Sequence, residues 1–154
     1  MDWKELGLYI LKEAEEWAKE RRLNELKYNA DSCKGNVFEE YSEYYRAKAQ
    51  GDVEGMLDAM ADSLIYIAVD LTKNFETEAD KRELEEYFAI ELQNNVKEAE
   101  ELGYDFKKVM GEVFKEINSR TGAWSDELGK WKKFETDEAK AKWYKANMKN
   151  AKIS

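Results

Sequence analysis

The sequence predicts an all-α protein, a bundle of about five main helices followed by a short C-terminal helix or tail. Its 154 residues include no proline and only eight glycines, and 38% are charged, a composition that favours long helices. Apolar residues also recur at a spacing of three to four. No stretch reaches about 18 uninterrupted apolar residues, so no membrane span is expected. The length suits a single domain over residues 1–154.

The first helix is predicted over residues 2–27. Trp3, Leu6 and Ile10 begin an apolar pattern with the 3.6-residue period of an amphipathic helix. Residues 29–35 are rich in Asn, Asp, Ser and Gly, the residue types of turns and loops. The sequence therefore predicts a loop between the first two helices.

An antiparallel helix pair is predicted next. The second helix spans residues 36–50, with Asn36 as its N-cap, and Gly51 ends it. Asp52 is the expected N-cap of the third helix, which runs to about residue 73. Because the connection is so short, the two helices are expected to pack side by side in opposite directions.

The later elements are predicted from caps and glycines. Thr77 and Asp80 form a Ser/Thr-x-x-acid start signal for a fourth helix over residues 76–102, and Gly103 stops it. The remaining predicted elements are a fifth helix over 104–119, an irregular segment over 121–134 with a turn or small hairpin at 128–130, and a last short helix over 136–147.

The third helix carries two stripes of interest. Leu57 and Leu64 belong to its ordinary core face, whereas Asp58 and Asp62 lie more than 90° around the helix. Further along, this second stripe continues with the apolar Ile65. A helix that is apolar on several faces is buried. The two aspartates are therefore expected at the mouth of a packed interface.

The second helix has an apolar side and an acidic side. Its three glutamates, taken alone, are expected to be solvated surface charges. The apolar side is formed by Phe38, Tyr41, Tyr45 and Ala49, and the acidic side by Glu39, Glu40 and Glu43.

Two pairs of acids nevertheless point to one site. Residues three or four apart share a helix face, so Glu40 pairs with Glu43, and Asp58 pairs with Asp62. If the two helices pack antiparallel, these four carboxylates converge and repel one another unless a cation lies between them. Ligation by oxygen atoms alone suits Mg²⁺, Mn²⁺ or Ca²⁺.

The charge distribution limits the partners. The net charge is −9, but residues 1–114 carry 15 basic and 28 acidic side chains, and residues 115–154 carry 10 and 6. The acidic body argues against nucleic-acid binding, which needs clustered cations. The basic tail either binds a polyphosphate or simply complements the acidic body.

The residue inventory excludes several classes of chemistry. The chain has no histidine, which excludes Ser-His-Asp and Cys-His catalysis, and one cysteine without histidine cannot form the usual structural zinc site. No phosphate-binding glycine-rich loop is present. Cys33 cannot form an internal disulfide, which fits a reducing cytoplasm.

Two segments resemble the all-α nucleoside triphosphate pyrophosphohydrolases, in particular the phage-type branch of the MazG-like proteins. That superfamily places an E-x-x-E pair on one helix and an E-x-x-D pair on the next, and the pairs hold Mg²⁺. The resemblance lies in residues 39–43 and 58–66, with Gly51 and Asp52 between them. A second, narrower match to the C-terminal portion of phage-encoded members covers residues 116–122, 129–130 and 143–147.

The resemblance implies an activity and its partners. The expected reaction is Mg²⁺-dependent hydrolysis of a (d)NTP to the (d)NMP and pyrophosphate, with Mn²⁺ as a possible substitute and nucleotide-pool control as the role. It implies a homodimer or homotetramer in the cytoplasm of a bacterium or phage-infected cell, without nucleic-acid or membrane partners.

The resemblance also implies roles for individual residues. The family's E-x-x-D pair would place a Glu at position 59, where this chain has Ala59, so Asp58 must take that role. The implied metal ligands are Glu40, Glu43, Asp58 and Asp62, the implied catalytic bases are Glu39 and Glu43, and the implied substrate-binding residues are Lys115, Asn118, Arg120 and Lys130.

Two other readings stay open. Ala59 favours a non-catalytic helical nucleotide-binding or scaffold protein in which the acidic site is vestigial. Phosphoribosyl-ATP pyrophosphohydrolase is a lesser alternative within the enzymes.

Overall fold

A computed structural model describes residues 2–153 and confirms the all-α class. Six α-helices, two 3-10 turns and one small hairpin make up the described part of the chain. Their bounds are α1 Trp3–Glu20, a 3-10 turn Leu23–Glu25, α2 Ala30–Ala49, α3 Val53–Asp70, α4 Glu78–Glu101, α5 Phe106–Ser119, β1 Gly122–Ser125, β2 Lys130–Lys133, α6 Asp137–Ala141 and a 3-10 turn Met148–Ala151.

Helix α3 lies at the centre of the bundle and contacts α1, α2, α4 and α5. Leu57, Leu64 and Ile67 are fully buried on it, and Phe106 and Phe114 of α5 pack into the same core. Burying a leucine, isoleucine or phenylalanine side chain contributes about 1.5–3 kcal/mol each. This packing fixes α3 as the rigid element from which Asp58 and Asp62 project. Within residues 2–153, no helix is long and apolar enough to cross a membrane.

Several predicted caps are confirmed. The Asp52 side chain accepts a hydrogen bond from the Gly55 N–H at 3.0 Å, and the Thr77 hydroxyl accepts one from the Asp80 N–H at 3.1 Å. Gly103 adopts a positive φ of 89° directly after α4. These bonds satisfy backbone groups that helix ends leave unpaired.

The predicted bounds of the first two helices are wrong. Helix α1 ends at Glu20, because Arg22 adopts the left-handed conformation (φ 58°) and a 3-10 turn follows. Helix α2 begins at Ala30, well before Asn36, because the Asn29 side chain accepts a hydrogen bond from the Ser32 N–H at 2.9 Å. Residues 30–35 of the polar segment that was predicted as a loop therefore form the start of α2.

The predicted apolar side of α2 is also wrong except at Tyr41, which is half-buried and packs against the core. Phe38 is 70% exposed and Tyr45 is 64% exposed, whereas Glu40 on the predicted acidic side is buried. The buried side of α2 consists of Cys33, Val37, Glu40 and Ala47.

The C-terminal portion forms a hairpin and a docked tail. Strands β1 and β2 pair antiparallel, with Trp124 opposite Trp131, and Gly129 (φ 63°) lies in the turn that was predicted there. The tail pairs with the start of α5, where the Asp105 N–H donates to the Ala151 carbonyl at 2.8 Å. The predicted last helix over 136–147 is shorter, since α6 ends at Ala141.

Gly51 sets the turn between α2 and α3, and we expect its replacement to be costly. It has a positive φ of 68°, so Gly51→Ala should lower the free energy of unfolding by about 1 kcal/mol, although no atom crowds the new Cβ. Gly35 is the matched control: it lies inside α2 with open space around it, and Gly35→Ala should raise stability by about 0.5–1 kcal/mol. Urea denaturation measures both, and equal effects would contradict the account of the turn.

Candidate functional site

The tight turn at residues 50–52 brings the acidic segments of α2 and α3 together. The Asp52 N–H donates to the Ala47 carbonyl at 2.9 Å, which folds α3 back against α2. Glu40 is 7% exposed in the resulting interface, and its Oε2 is buried without a hydrogen-bond partner. A buried carboxylate oxygen without a partner is costly, so this atom marks the interface as a candidate functional site.

The carboxylates interact strongly with one another. Burial raises the pKa of Glu40 to about 8, and the neighbouring Glu43 adds to the shift. Burial also raises the pKa of Asp62 to about 9, with further contributions from Asp58 and Glu40. Both shifts have the cause expected for acids that share a desolvated space without a compensating cation. The four predicted metal ligands are therefore close enough to influence each other.

Asp58 and Asp62 also face helix α5. Burial and the negative charge of Glu116 raise the pKa of Asp58, whereas Arg120 acts in the opposite direction on both aspartates. Arg120 itself forms an ion pair with Glu116 at 3.3 Å. The acidic cluster thus consists of carboxylates from α2, α3 and α5, with one arginine beside it.

Glu116 is a site residue that the sequence reasoning did not single out. It also accepts a hydrogen bond from the Ala146 N–H at 3.0 Å, while Glu112 accepts one from the Asn147 N–H at 2.8 Å. The sequence does contain a pattern that groups Glu116 with its neighbours, because Glu112, Glu116 and Arg120 are spaced four residues apart and share one face of α5. These bonds attach the tail beside the acidic cluster.

The predicted substrate-binding residues are only partly gathered here. Arg120 lies within electrostatic range of Asp58 and Asp62. Lys115 is exposed and lies over the ring of Tyr144 at 4.2 Å, and Asn118 is exposed on the same helix. Lys130 is on the hairpin, where it lines a separate cleft together with Arg120.

The predicted catalytic bases are the accessible members of the cluster. Glu39 and Glu43 are both exposed on α2, next to the buried Glu40. Their charges contribute to raising the pKa of Glu40, and Glu43 also acts on Asp58. An exposed carboxylate at the edge of a desolvated cluster can exchange protons with water.

A cavity of about 380 Å³ lies between α2, α3 and α4, and Glu40 is one of its lining residues. Ser63 lines it and is also buried, with its Oγ lacking a hydrogen-bond partner. The volume lies within the range of about 300–1,000 Å³ that is usual for small-molecule sites. Aromatic and amide side chains contribute to the lining, namely Tyr41, Tyr44, Tyr45, Asn94 and Asn95.

Ala59 occupies this cavity wall and is 2% exposed. The family pattern would have a glutamate at this position, and its carboxylate would lie on the cavity side of α3. Asp58 instead faces α5 through Glu116 and Arg120. Asp58 therefore does not put a carboxylate where a glutamate at position 59 would, because the two positions lie on different faces of α3.

The acidic cluster supplies the kind of ligand that a hard cation takes, but not a complete set of ligands within the described residues. The acids supply oxygen donors only, and the burial of Glu40 with an unpartnered Oε2 favours either its protonated form or a nearby cation. However, among residues 2–153 no group of three or more acidic or thiol side chains is arranged to hold a metal ion. Mg²⁺ is usually held by one or two carboxylates together with water and substrate phosphates, so this arrangement suits Mg²⁺ better than Ca²⁺.

Cys33 has no part in this site. It is buried on α2 with Asp70 and Tyr28 as its polar neighbours, and burial raises its pKa to about 12. A thiol with so high a pKa carries almost no thiolate at neutral pH and is a poor nucleophile.

Comparisons with protein families, with curated proteins and with solved structures give no match for this chain. The resemblance to the all-α pyrophosphohydrolases therefore stays a prediction based on the motifs.

Proposed function

We propose that this protein is a Mg²⁺-dependent nucleoside triphosphate pyrophosphohydrolase. One observation carries the proposal: Glu40 and Asp62 are desolvated carboxylates with raised pKa values, packed with Glu43 and Asp58 where two helices meet. Such a cluster costs folding energy, and a functional cation explains why the chain retains it. One or two of the predicted ligands Glu40, Glu43, Asp58 and Asp62 would hold the ion, and water and substrate phosphates would complete its coordination.

The chemistry is the hydrolysis of a phosphoric anhydride. A water molecule attacks a phosphorus atom of the α–β anhydride, a P–O bond to the water oxygen forms, and the bridging P–O bond breaks. The water proton passes to an exposed carboxylate, Glu39 or Glu43, and pyrophosphate leaves. When bound, Mg²⁺ would neutralise charge on the phosphate oxygens. Arg120 supplies positive charge near Asp58 and Asp62.

The proposed assembly is a homodimer or homotetramer in the cytoplasm. Exposed apolar side chains on α2 and α4, namely Phe38, Tyr45 and Ile90, supply surface for contacts between copies. The cavity beside Glu40 is a candidate position for the nucleoside, because its tyrosines and asparagines offer stacking and hydrogen bonding.

A non-catalytic nucleotide-binding or scaffold protein is the second candidate. It is favoured by the buried Ala59 at the position of the family's glutamate, and by the lack of a three-ligand metal group within residues 2–153. Such a protein would bind nucleotide weakly or not at all, and it would not need Mg²⁺.

The test is pyrophosphate release from a panel of canonical and modified (d)NTPs, with Mg²⁺ and with EDTA. We expect release with Mg²⁺ and the monophosphate as co-product, and none in EDTA. Failure of every nucleotide to react, with the protein folded and Mg²⁺ saturating, would reject the enzyme and favour the second candidate.

A further inference from the structure

A second polar site lies between the hairpin and the C-terminal end of α1. Arg21 is stacked between two indole rings, with its guanidinium 4.2 Å from the ring centres of Trp17 and Trp131. Arg22 lies over the ring of Trp124 at 4.1 Å. These contacts join the hairpin to α1 and form the walls of a cleft of about 650 Å³.

The cleft is strongly basic in an acidic protein. Six cationic side chains and one glutamate, Glu135, line it, whereas the whole chain has a net charge of −9. A concentration of like charge is stabilised by a bound anion. The six cations are Arg21, Arg22, Arg120, Lys130, Lys132 and Lys133.

Half of these six cations have no acidic partner within the described residues, whereas Arg21, Arg22 and Arg120 each pair with a glutamate. Among residues 2–153, no ion pair involves Lys130, Lys132 or Lys133. Arg22 pairs with Glu25 at 2.8 Å, but both side chains are about half exposed, and exposed pairs bind weakly. Three free lysines at the rim are therefore available to an anionic ligand.

Arg21 is the unusual member of the cleft. Its side chain is 5% exposed, and its Nε–H is buried without a hydrogen-bond partner. Stacking occupies both faces of the guanidinium, so its remaining N–H groups lie in the plane between the indoles. Its Nη1 donates to the Trp17 carbonyl at 3.2 Å and pairs with Glu20 at 3.5 Å, which leaves the buried Nε–H as a donor that an anion could satisfy.

Arg120 connects this cleft to the acidic cluster. It lines the cleft, pairs with Glu116, and acts on the charges of Asp58 and Asp62. Its positive charge also helps to lower the pKa of Arg21, after the larger effect of burial. Arg120 therefore lies between the acidic cluster and the basic cleft.

We infer that this cleft binds a phosphate chain, and that it receives the β- and γ-phosphates of the triphosphate while the α-phosphate lies toward the acidic cluster. The assignment to substrate phosphates rests on the proposed function. The cleft of about 650 Å³ has room for a small polyanion. The tryptophan rings hold Arg21 and Arg22 in place, and the lysines lie at the rim. After cleavage the same cleft holds the departing pyrophosphate.

The test uses inorganic tripolyphosphate and pyrophosphate in EDTA, so that it does not depend on Mg²⁺ or on turnover. Binding is followed by calorimetry and by intrinsic tryptophan fluorescence, to which Trp124 and Trp131 of the cleft contribute. The double variant Lys130→Ala/Lys133→Ala should weaken tripolyphosphate binding about tenfold or more. The matched control, Lys107→Ala/Lys108→Ala, removes two exposed lysines from the start of α5 and should change it less than about twofold.

The outcomes separate this inference from the proposed function. Equal weakening by the two double variants, or no binding to the unmodified protein, overturns the inference even if Mg²⁺-dependent hydrolysis is observed. Binding that depends on Lys130 and Lys133 without any hydrolysis supports the phosphate-chain site and rejects the enzyme. A single-stranded oligothymidine that binds more tightly than tripolyphosphate would replace the inference with a nucleic-acid site. Thermal unfolding checks that both variants are folded.

Discussion

Replacing Asp62 with asparagine is expected to lower the Mg²⁺-dependent release of pyrophosphate by at least two orders of magnitude. The change removes a buried carboxyl group, beside Asp58 and Glu40, that would bind Mg²⁺ in its ionised form. Removing one group that stabilises charge in a transition state typically costs about 10²–10³ in rate, and a lost ligand would weaken the stabilisation that the metal supplies. We expect Asp62→Ala and Glu43→Ala to abolish turnover as well. Steady-state assays with saturating Mg²⁺ measure the effect.

The same substitution is expected to make the metal-free protein more stable. Burial of Asp62 and its repulsion by Asp58 both destabilise the folded state when the carboxyl group is ionised, and asparagine avoids both effects. The asparagine amide also keeps a donor for the hydrogen bond to Asp58. Each kcal/mol gained should raise the melting temperature by about 2–4 °C in EDTA. Opposite effects on activity and stability distinguish a functional carboxylate from a structural one.

Glu54→Gln is the control for Asp62→Asn. Glu54 is an exposed carboxylate near the start of the same helix, outside the cluster, so its loss should leave turnover unchanged and alter stability by less than about 1 kcal/mol. Full turnover by Asp62→Asn would reject the metal-site assignment. A lower melting temperature for Asp62→Asn in EDTA would show that the carboxylate is a stabilising partner instead.

The helix pair was predictable because its signals are local. Gly51 and Asp52 specify a turn and a cap within a few residues, and the observed φ of Gly51 and the hydrogen bond to Asp52 agree with both. Thr77 caps α4 for the same reason. Such signals depend on neighbouring backbone groups and not on the rest of the fold.

The burial of Glu40 was not predictable from hydrophobic pattern. The apolar Phe38 and Tyr45 indicated one buried side of α2, but the protein buries the side of Val37 and Glu40 instead. A pattern that ranks residues by hydrophobicity cannot favour a buried carboxylate. Departures from local consistency are expected at functional sites, so the failure itself agrees with the proposed role of Glu40.

Contacts between distant segments account for the rest. Arg21 and Trp131 are far apart in sequence, and nothing local indicates that the hairpin packs on α1. Glu116 reaches the cluster only because α5 packs beside α3. The sequence suggested basic and aromatic residues in the tail but not the cleft that they form with α1.

The metal-free protein is expected to lose stability as the pH rises from 6 to 9. Unfolded Glu40 and Asp62 release their protons near 4.5 and 3.8, whereas in the folded protein they do so near 8 and 9. Between these values the folded state binds more protons than the unfolded state, so a rising pH favours unfolding. The free energy of unfolding keeps falling until the pH passes the folded pKa values. Each group lowers it by at most about 1.4 kcal/mol per pH unit.

This pH window can be assigned to the acidic cluster because little else titrates in it. The chain has no histidine, and Cys33, whose pKa burial raises from 9.0 to about 12, contributes only as the pH approaches 9. Urea denaturation at pH 6, 7.5 and 9 in EDTA measures the slope, and Asp62→Asn should reduce it whereas Glu54→Gln should not. Adding Mg²⁺ at pH 9 should restore stability, because the ion binds the ionised carboxylates of the folded state. A stability that rises with pH in EDTA would mean that these carboxylates are already compensated within the protein, and would remove the physical reason for a cation at this site.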